Sequence, residues 1–456
     1  MKIALAAAGL SVAWCGQAWA DDASEKALAK KVEELQKQLD EVSKRIGDGS
    51  SRANDELEQR VAELEKVTKK DKDGLFPYWG NGIRMDSVDG AFKIQIGGRI
   101  QSDWTWYQGQ TDAEHALGTT IEAGEEFRRA RLMMGGTIYS NVAFSAEYDF
   151  AGGTSTPRDV WMMLKNIPGG NFLVGNFKVP TGTEELTSDL FTTFLERSQS
   201  NAAFAPDYQT GFQLSNTFMD DAYSYQLAFT RNSAANGNSV GNEKGGIYNY
   251  TGRIAGRPWS NNDTECPSFV TAGAAANFHN LNGDTVSIAA RPENHITPNF
   301  INTGSMSADQ TRMIEADAGF VTGPLWLFGD FFNEEVSLKQ ASNVSFQGWQ
   351  VAAGYFLTGE SKPYKASNST YDRIKPKHNF DGKGGLGAWE IAARYDELDL
   401  NDGDIQGGKD KIFTLGLSWY LNPNTRVMLD WVHADNDFND KSYWINIIEM
   451  RFQIDF

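Results

Sequence analysis

From Phe92 to the end of the chain, apolar residues occupy every second position in one stretch after another. Phe92, Ile94, Ile96, Ile100, Trp104 and Trp106 hold even positions, and Lys93, Gln95, Arg99, Gln101 and Asp103 hold odd ones. A period of two is that of a strand with one apolar and one polar face. Ala130, Leu132, Met134 and Ile138 repeat it against Arg129 and Arg131, and Val142, Phe144, Ala146, Tyr148 and Phe150 against Ser145, Glu147 and Asp149. The pattern returns over 223–229, 248–254, 313–321, 326–336, 346–357, 389–398, 413–421 and 427–432. It amounts to about sixteen or seventeen strands of ~10 residues, and since single-chain barrels favour even numbers, about sixteen antiparallel strands are expected. Polar stretches rich in Gly, Asn and Asp, such as 232–246 and 361–387, separate them. Short and long connections fit turns at one end and loops at the other.

A β-sandwich array or a β-helix would also alternate, but neither calls for aromatic residues at strand ends or for so many long strands. The last fourteen residues, YWINIIEMRFQIDF, decide between them. Ile448, Met450, Phe452, Ile454 and Phe456 alternate with polar partners. A final strand ending in Phe resembles the recognition signal of outer-membrane barrel proteins. Mean hydropathy is only −0.46, and no run of eighteen apolar residues exists outside the first twenty positions. Both are compatible with a membrane barrel, which carries its hydrophobicity on alternate residues. Trp104, Trp106, Trp326, Trp419, Trp431 and Trp444 are expected at the membrane interface or facing lipid.

The first twenty residues, MKIALAAAGLSVAWCGQAWA, combine Lys2, an apolar stretch and a small-x-small end at Ala18-Trp19-Ala20, the pattern of an export signal cleaved before Asp21. Then Leu28, Val32, Leu35, Leu39, Val42 and Ile46 follow at spacings of 4, 3, 4, 3 and 4, and Leu57, Val61 and Leu64 resume after a Gly-Asp-Gly-Ser-Ser break. That is a heptad repeat, expected to form an α-helical coiled coil over 21–73, in the periplasm if the barrel sits in an outer membrane. The barrel domain is then expected over 74–456.

The formal charge is −18, with no basic cluster of the kind nucleic-acid binders carry. Cys266 alone would remain after cleavage, since Cys15 lies in the export signal, so no intrachain disulfide is expected. His115, His279, His295, His378 and His433 are scattered, and no G-x-S-x-G or phosphate-cradling glycine motif occurs. No enzyme, cofactor or metal is implied.

FKIQIGGRIQ (92–101), FRRARLMMGG (127–136), EELTS (184–188) with Leu195-Glu196-Arg197, Leu357-Thr358-Gly359-Glu360 with Tyr364, Ile374-Lys375-Pro376, Gly387-Ala388-Trp389-Glu390 with Arg394-Tyr395-Asp396, and TLGLSWY (414–420) together resemble the phosphate-selective porin O/P family. The resemblance implies a homotrimeric outer-membrane barrel of sixteen strands for passive diffusion of small anions, phosphate or polyphosphate among them. It also implies a long loop folded into the lumen, for which 180–208 is the candidate. By position it assigns Arg99, Arg128 and Arg129 to an anion-attracting constriction, Asp159 to a constriction aspartate and Ser188 to the loop serine.

Strand parity independently turns Arg99, Arg129 and Arg131 toward the lumen, where their forks suit phosphate oxygens. Parity turns Arg128 the other way, unless it sits at a strand entry or a bulge. The same arginines could instead pair with Glu147, Asp149 or Asp159 and merely solvate the wall. Glu185 stands where the selective members have lysine, and Asp189 where they have serine. A carboxylate among the arginines replaces attraction of an anion with repulsion. A general or otherwise selective porin therefore stays open as a reading, as does an envelope tether whose coiled coil contacts the cell wall. Expected partners are small anionic solutes, outer-membrane lipid and two further copies of the chain; no nucleic acid is expected.

Overall fold

In a computed structural model, described over residues 34, 37, 38, 74–232, 247–261, 266–438 and 441–456, the chain from Gly74 onward forms one closed antiparallel barrel. The heptad stretch falls almost wholly outside the described residues, as does the export signal. The sixteen barrel strands are β1 (Lys93–Gln108), β2 (Gly124–Ile138), β3 (Val142–Asp149), β4 (Thr156–Ile167), β5 (Gly170–Lys178), β6 (Tyr208–Phe218), β7 (Tyr223–Asn232), β8 (Tyr248–Ser260), β9 (Ser268–Asn280), β10 (Met306–Thr322), β11 (Leu325–Leu338), β12 (Val344–Phe356), β13 (Ala388–Asp402), β14 (Ile405–Asn422), β15 (Thr425–Phe438) and β16 (Lys441–Asp455). Each pairs with its sequence neighbour, and β16 closes on β1 from Asn446↔Gln108 to Asp455↔Arg99. Among the described residues, closure gives each of the sixteen barrel strands a partner on both sides, as a lipid-spanning sheet requires. No helix of the described residues is long and apolar enough to cross a membrane.

The seam explains a local sequence oddity. Phe456 exchanges backbone hydrogen bonds with Gly98, and a Cβ on Gly97 would lie 2.4 Å from the Phe456 carbonyl oxygen. The Gly-Gly pair of FKIQIGGRIQ thus makes room for the end of the chain. A hairpin of Leu75–Trp79 and Ile83–Ser87 continues the sheet beyond this point, pairing Ile83–Asp86 with Lys93–Ile96 of β1.

Alternation translates into burial as the pleat requires. Ile96, Ile100, Trp104 and Trp106 are exposed on the outer face, whereas Gln101, Asp103 and Thr105 are buried inside. Two departures are informative. Trp326 is only 2% exposed and points inward, donating from Nε1 to Glu390 at 2.7 Å, so it belongs to the lumen rather than to an outer girdle. Near the barrel end opposite the C-terminus, apolar residues also turn inward: Tyr443, Ile445 and Ile447 of β16 pack with Ile412, Val432, Ala434 and Phe300. They serve as a floor for loops that enter the barrel.

Among the described residues, connections from both ends reach into the lumen. Residues 179–207, between β5 and β6, contain the short helices α1 (Thr183–Leu186) and α2 (Gln199–Phe204). Residues 281–305, between β9 and β10, pack Leu281, Ile288, Ala290 and Ile301 against Phe332, Phe346 and Leu398 of the wall. From the opposite end, the long connection 357–387 reaches up to the first of these: the Tyr371 amide donates to Thr187 Oγ1 at 3.3 Å, and Lys362 donates to Thr193. The other fully described connections at that end are short, as at 168–169, 323–324 and 423–424.

Candidate functional site

The loop 179–207 crosses the barrel against β1 and β2, and the side chains singled out by sequence gather there. Arg99 donates from Nη1 to Asp189 Oδ1 at 2.6 Å and from Nη2 to Glu147 Oε2 at 3.0 Å. Ser188 Oγ lies 3.4 Å from the same Arg99 Nη1. Arg131, the cross-strand partner of Arg99, donates to Asp149 at 2.8 Å and to Glu147 at 3.0 Å, and its Nη1 lies 3.2 Å from Asp189 Oδ2. Arg129 donates to Gln101 Oε1 at 2.8 Å and places Nε 2.9 Å from Asp189 Oδ2. Asp189 is therefore an ion-pair partner of three guanidiniums at once.

Arg128 reaches the same chamber by a break in the strand. The β1–β2 register shifts so that Arg129 faces Gln101 while Phe127 faces Ser102, which leaves Arg128 as the extra residue of a bulge. A bulge re-aims a side chain that strict alternation would send outward. Arg128 then grips both oxygens of Glu196, at 2.8 and 3.0 Å. Arg451 of β16 joins it, donating to Glu196 at 2.8 Å, to Asp103 at 2.7 and 2.6 Å, and to the Leu195 carbonyl at 2.5 Å.

Asp159 and Glu185 stand outside this arginine cluster. Asp159 accepts from Trp161 Nε1 at 3.2 Å and from the Tyr208 hydroxyl at 3.3 Å. Glu185 lies 3.0 Å from Lys178 Nζ and 3.3 Å from Arg197 Nε. Its charge is met by these two cations, so the repulsion expected of a carboxylate at this point falls on Lys178 and Arg197 as attraction instead. Of the two loop carboxylates Glu185 and Asp189, Asp189 is the one that confronts the arginines.

The pairing has an electrostatic consequence. Arg99, Arg128, Arg129 and Arg131 face Glu147, Asp149, Asp189 and Glu196, four charges of each sign within ion-pair distance. Burial would raise the carboxyl pKa of both loop acids. The guanidiniums outweigh it: Arg129, Arg99 and Arg131 hold Asp189, and Arg128, Arg129 and Arg451 hold Glu196, well below the usual carboxylate range. Arg129 and Arg131 keep only 5% of their side-chain surface exposed, against 15% for Arg99 and 16% for Arg128, so the last two present what cationic surface remains.

Glu196 and Arg451 were not among the residues that sequence assigned to the site. A signal for Arg451 was present, because it lies on the polar parity of the last strand between Met450 and Phe452. Glu196 sits in an irregular loop, where no periodicity reports direction.

A barrel of sixteen strands, apolar outside and charged within, with a loop folded across its lumen, defines a porin of the outer-membrane type. Among solved structures the chain is similar to OmpT of Vibrio cholerae, with a TM-score of 0.50 and 11% identity, covering 80% of this chain and 98% of that one. That likeness concerns the fold. Among sequences, it is 24% identical over 396 residues to Porin O of Pseudomonas aeruginosa, covering 78% of this chain and 86% of that protein. It is 27% identical over 394 residues to an uncharacterized protein of Caulobacter vibrioides, covering 83% and 76%. The family model for phosphate-selective porins O and P matches residues 94–456. The chain belongs to that family, and family and fold point to an outer-membrane channel.

Proposed function

We propose that this porin passes small hydrophilic solutes by passive diffusion through a charge-balanced constriction, and that it retains phosphate weakly or not at all. The observation that carries this reading is the four-to-four pairing of Arg99, Arg128, Arg129 and Arg131 with Glu147, Asp149, Asp189 and Glu196. A phosphate entering here would have to displace Asp189 from three guanidiniums, and the loop carboxylate is already in place at no cost of immobilising a free ion. The family's phosphate-selective reading is the alternative. Its support is the convergence of Arg99, Arg129, Arg131 and Ser188 around one point. The deciding experiment is the zero-current potential of the purified protein in a bilayer under a potassium chloride gradient, with phosphate then titrated in. A potential near zero or on the cation side, with current indifferent to phosphate, is expected. Anion selectivity with chloride current blocked by phosphate would overturn the reading.

The same proposal includes a homotrimer with the coiled coil of 21–73 in the periplasm. One solved form of OmpT, the Vibrio cholerae relative in fold, is described as a trimer. Strands of 8 to 10 residues at β3, β5 and β7, against 17 and 18 at β10 and β14, leave one low side of the barrel suited to neighbouring copies. Unheated gel mobility before and after deletion of 21–72 tests whether the heptads hold the copies together; a monomer from the full-length chain would sink the trimer.

A further inference from the structure

Asp189 uses both of its carboxylate oxygens on the arginine cluster, Oδ1 on Arg99 at 2.6 Å, Oδ2 near Arg129 at 2.9 Å and Arg131 at 3.2 Å. Guanidinium forks bind carboxylate and phosphate oxygens by the same charge-assisted N–H contacts. Three forks on one small anion are a binding site, and here the anion is covalently part of the chain.

The three arginines do not depend on Asp189 for their place. Arg99 and Arg131 are paired across β1 and β2 and share Glu147. Arg129 is held by Gln101. Nor does the loop depend on the Asp189 side chain. Its backbone at this point is fixed by Arg426 Nη2 and Gln101 Nε2 on the Asp189 carbonyl, at 3.1 and 3.3 Å. Gln453 on Leu190 O, Arg426 Nη1 on Thr192 O and Arg451 on Leu195 O extend that anchorage at 3.2, 2.6 and 2.5 Å. Removing the carboxylate leaves one positive charge unbalanced in an otherwise standing chamber, with the Ser188 hydroxyl 3.4 Å from Arg99 as an added polar group.

We infer that Asp189 is a tethered ligand occupying an oxyanion subsite built by Arg99, Arg129 and Arg131, and that this one carboxylate decides whether the channel retains a tetrahedral oxyanion such as phosphate. The inference rests on the charge-balanced reading of the constriction and goes past it by naming the ligand class and the controlling residue. Asp189→Ser removes both charge and bulk; Asp189→Asn removes charge and keeps bulk.

Single-channel and multichannel currents in chloride, with inorganic phosphate and then sulfate added, are compared for the wild type and both variants. Heat-modifiable gel mobility confirms a folded barrel for each. The expected result is that both variants shift the zero-current potential toward anions, and that D189S alone gains a phosphate block at a concentration about tenfold or more below any effect on the wild type. A folded D189S that shifts its potential without gaining a block overturns the subsite and leaves the charge-balanced function standing. A wild type already blocked at the same concentration as D189S overturns both, because Asp189 would then exclude nothing. Should D189S fail to fold, Asp189→Ala, which also removes charge and bulk, takes its place: a phosphate block gained by D189A supports the subsite, and a folded D189A without one overturns it.

Discussion

Against β1 and β2 the wall supplies arginines and the loop 179–207 supplies carboxylates, Asp189 and Glu196. Against β13, β14 and β15 the wall adds carboxylates that accept from the loop, beside Arg394, which meets Glu184 at 3.3 Å, and Arg426, which donates to the Asp189 and Thr192 carbonyls. There Asp396 accepts from the backbone amides of Gln199 and Ser200 and from the Ser200 hydroxyl. Asp410 accepts from Gln199 Nε2 at 2.8 Å, and Asp430 from the Leu195 amide at 2.8 Å. The first wall holds loop side-chain charges, for which a mobile ion can substitute. The second also holds N–H groups of the chain itself, among them the Gln199 and Ser200 amides at the start of α2, which have no partner within the helix; a solute cannot take their place. Selectivity should therefore be governed from the first wall and loop position from the second.

Breaking the second wall should have the largest effect. Asp396→Ala strands two buried amides and a hydroxyl, at about 1–3 kcal/mol for each unsatisfied group. The loop should swing from the wall, raising single-channel conductance severalfold and opening 195–204 to added protease. Unchanged conductance would mean that the two walls are interchangeable. Arg451→Gln tests the border between them, because Arg451 holds both a loop carboxylate and a loop carbonyl. Leaving Asp103 and Glu196 short of a cation should cost about 3–5 kcal/mol, read as a lower midpoint in urea, together with a shift of the zero-current potential toward cations.

Glu185→Lys sharpens the comparison from the loop side. It would set a third positive charge against Lys178 and Arg197, so we expect a lower thermal midpoint than for Glu185→Gln and no gain of phosphate block. A block in E185K would move the control of anion binding from Asp189 to Glu185.

Acid gives a smaller and later effect. Asp189 and Glu196 have folded-state pKa values below the unfolded ones. Their contribution is thus complete above the ordinary carboxylate range and is lost only as pH falls through the depressed values. First-wall docking should be constant from neutral pH to about pH 4 and weaken below that, as read by anion-to-cation permeability. The smallest expected change is from His295→Ala. His295 Nδ1 lies 2.7 Å from Glu126 near the same chamber, but its side chain is 40% exposed. An exposed pair of this kind is worth under about 1 kcal/mol, so conductance should be unaltered.

The sequence by itself determined the barrel. Side-chain period two is a property of each strand alone, so Phe92 to Trp106 and Ile448 to Phe456 announce an outer apolar face before any partner strand is known. It also determined that Arg99, Arg129 and Arg131 point inward, by the same parity. Parity failed where the backbone ceased to be regular. Arg128 turned inward because a bulge opposite Gln101 adds a residue; Trp326 instead keeps the inward parity of Asp330 and Glu334 in β11, and what fails there is the expectation that tryptophans face lipid, since Glu390, 64 residues away in sequence, accepts its N–H. Which of Glu185 and Asp189 meets the wall arginines is set by the folded chain. Glu185 and Asp189 are four residues apart in an irregular segment, and nothing local distinguishes them. The fold brings Lys178 and Arg197 to one and three wall arginines to the other. Charge is written in the sequence, but its partner is a matter of distance, and distances between strands and a folded loop exist only once the barrel has closed.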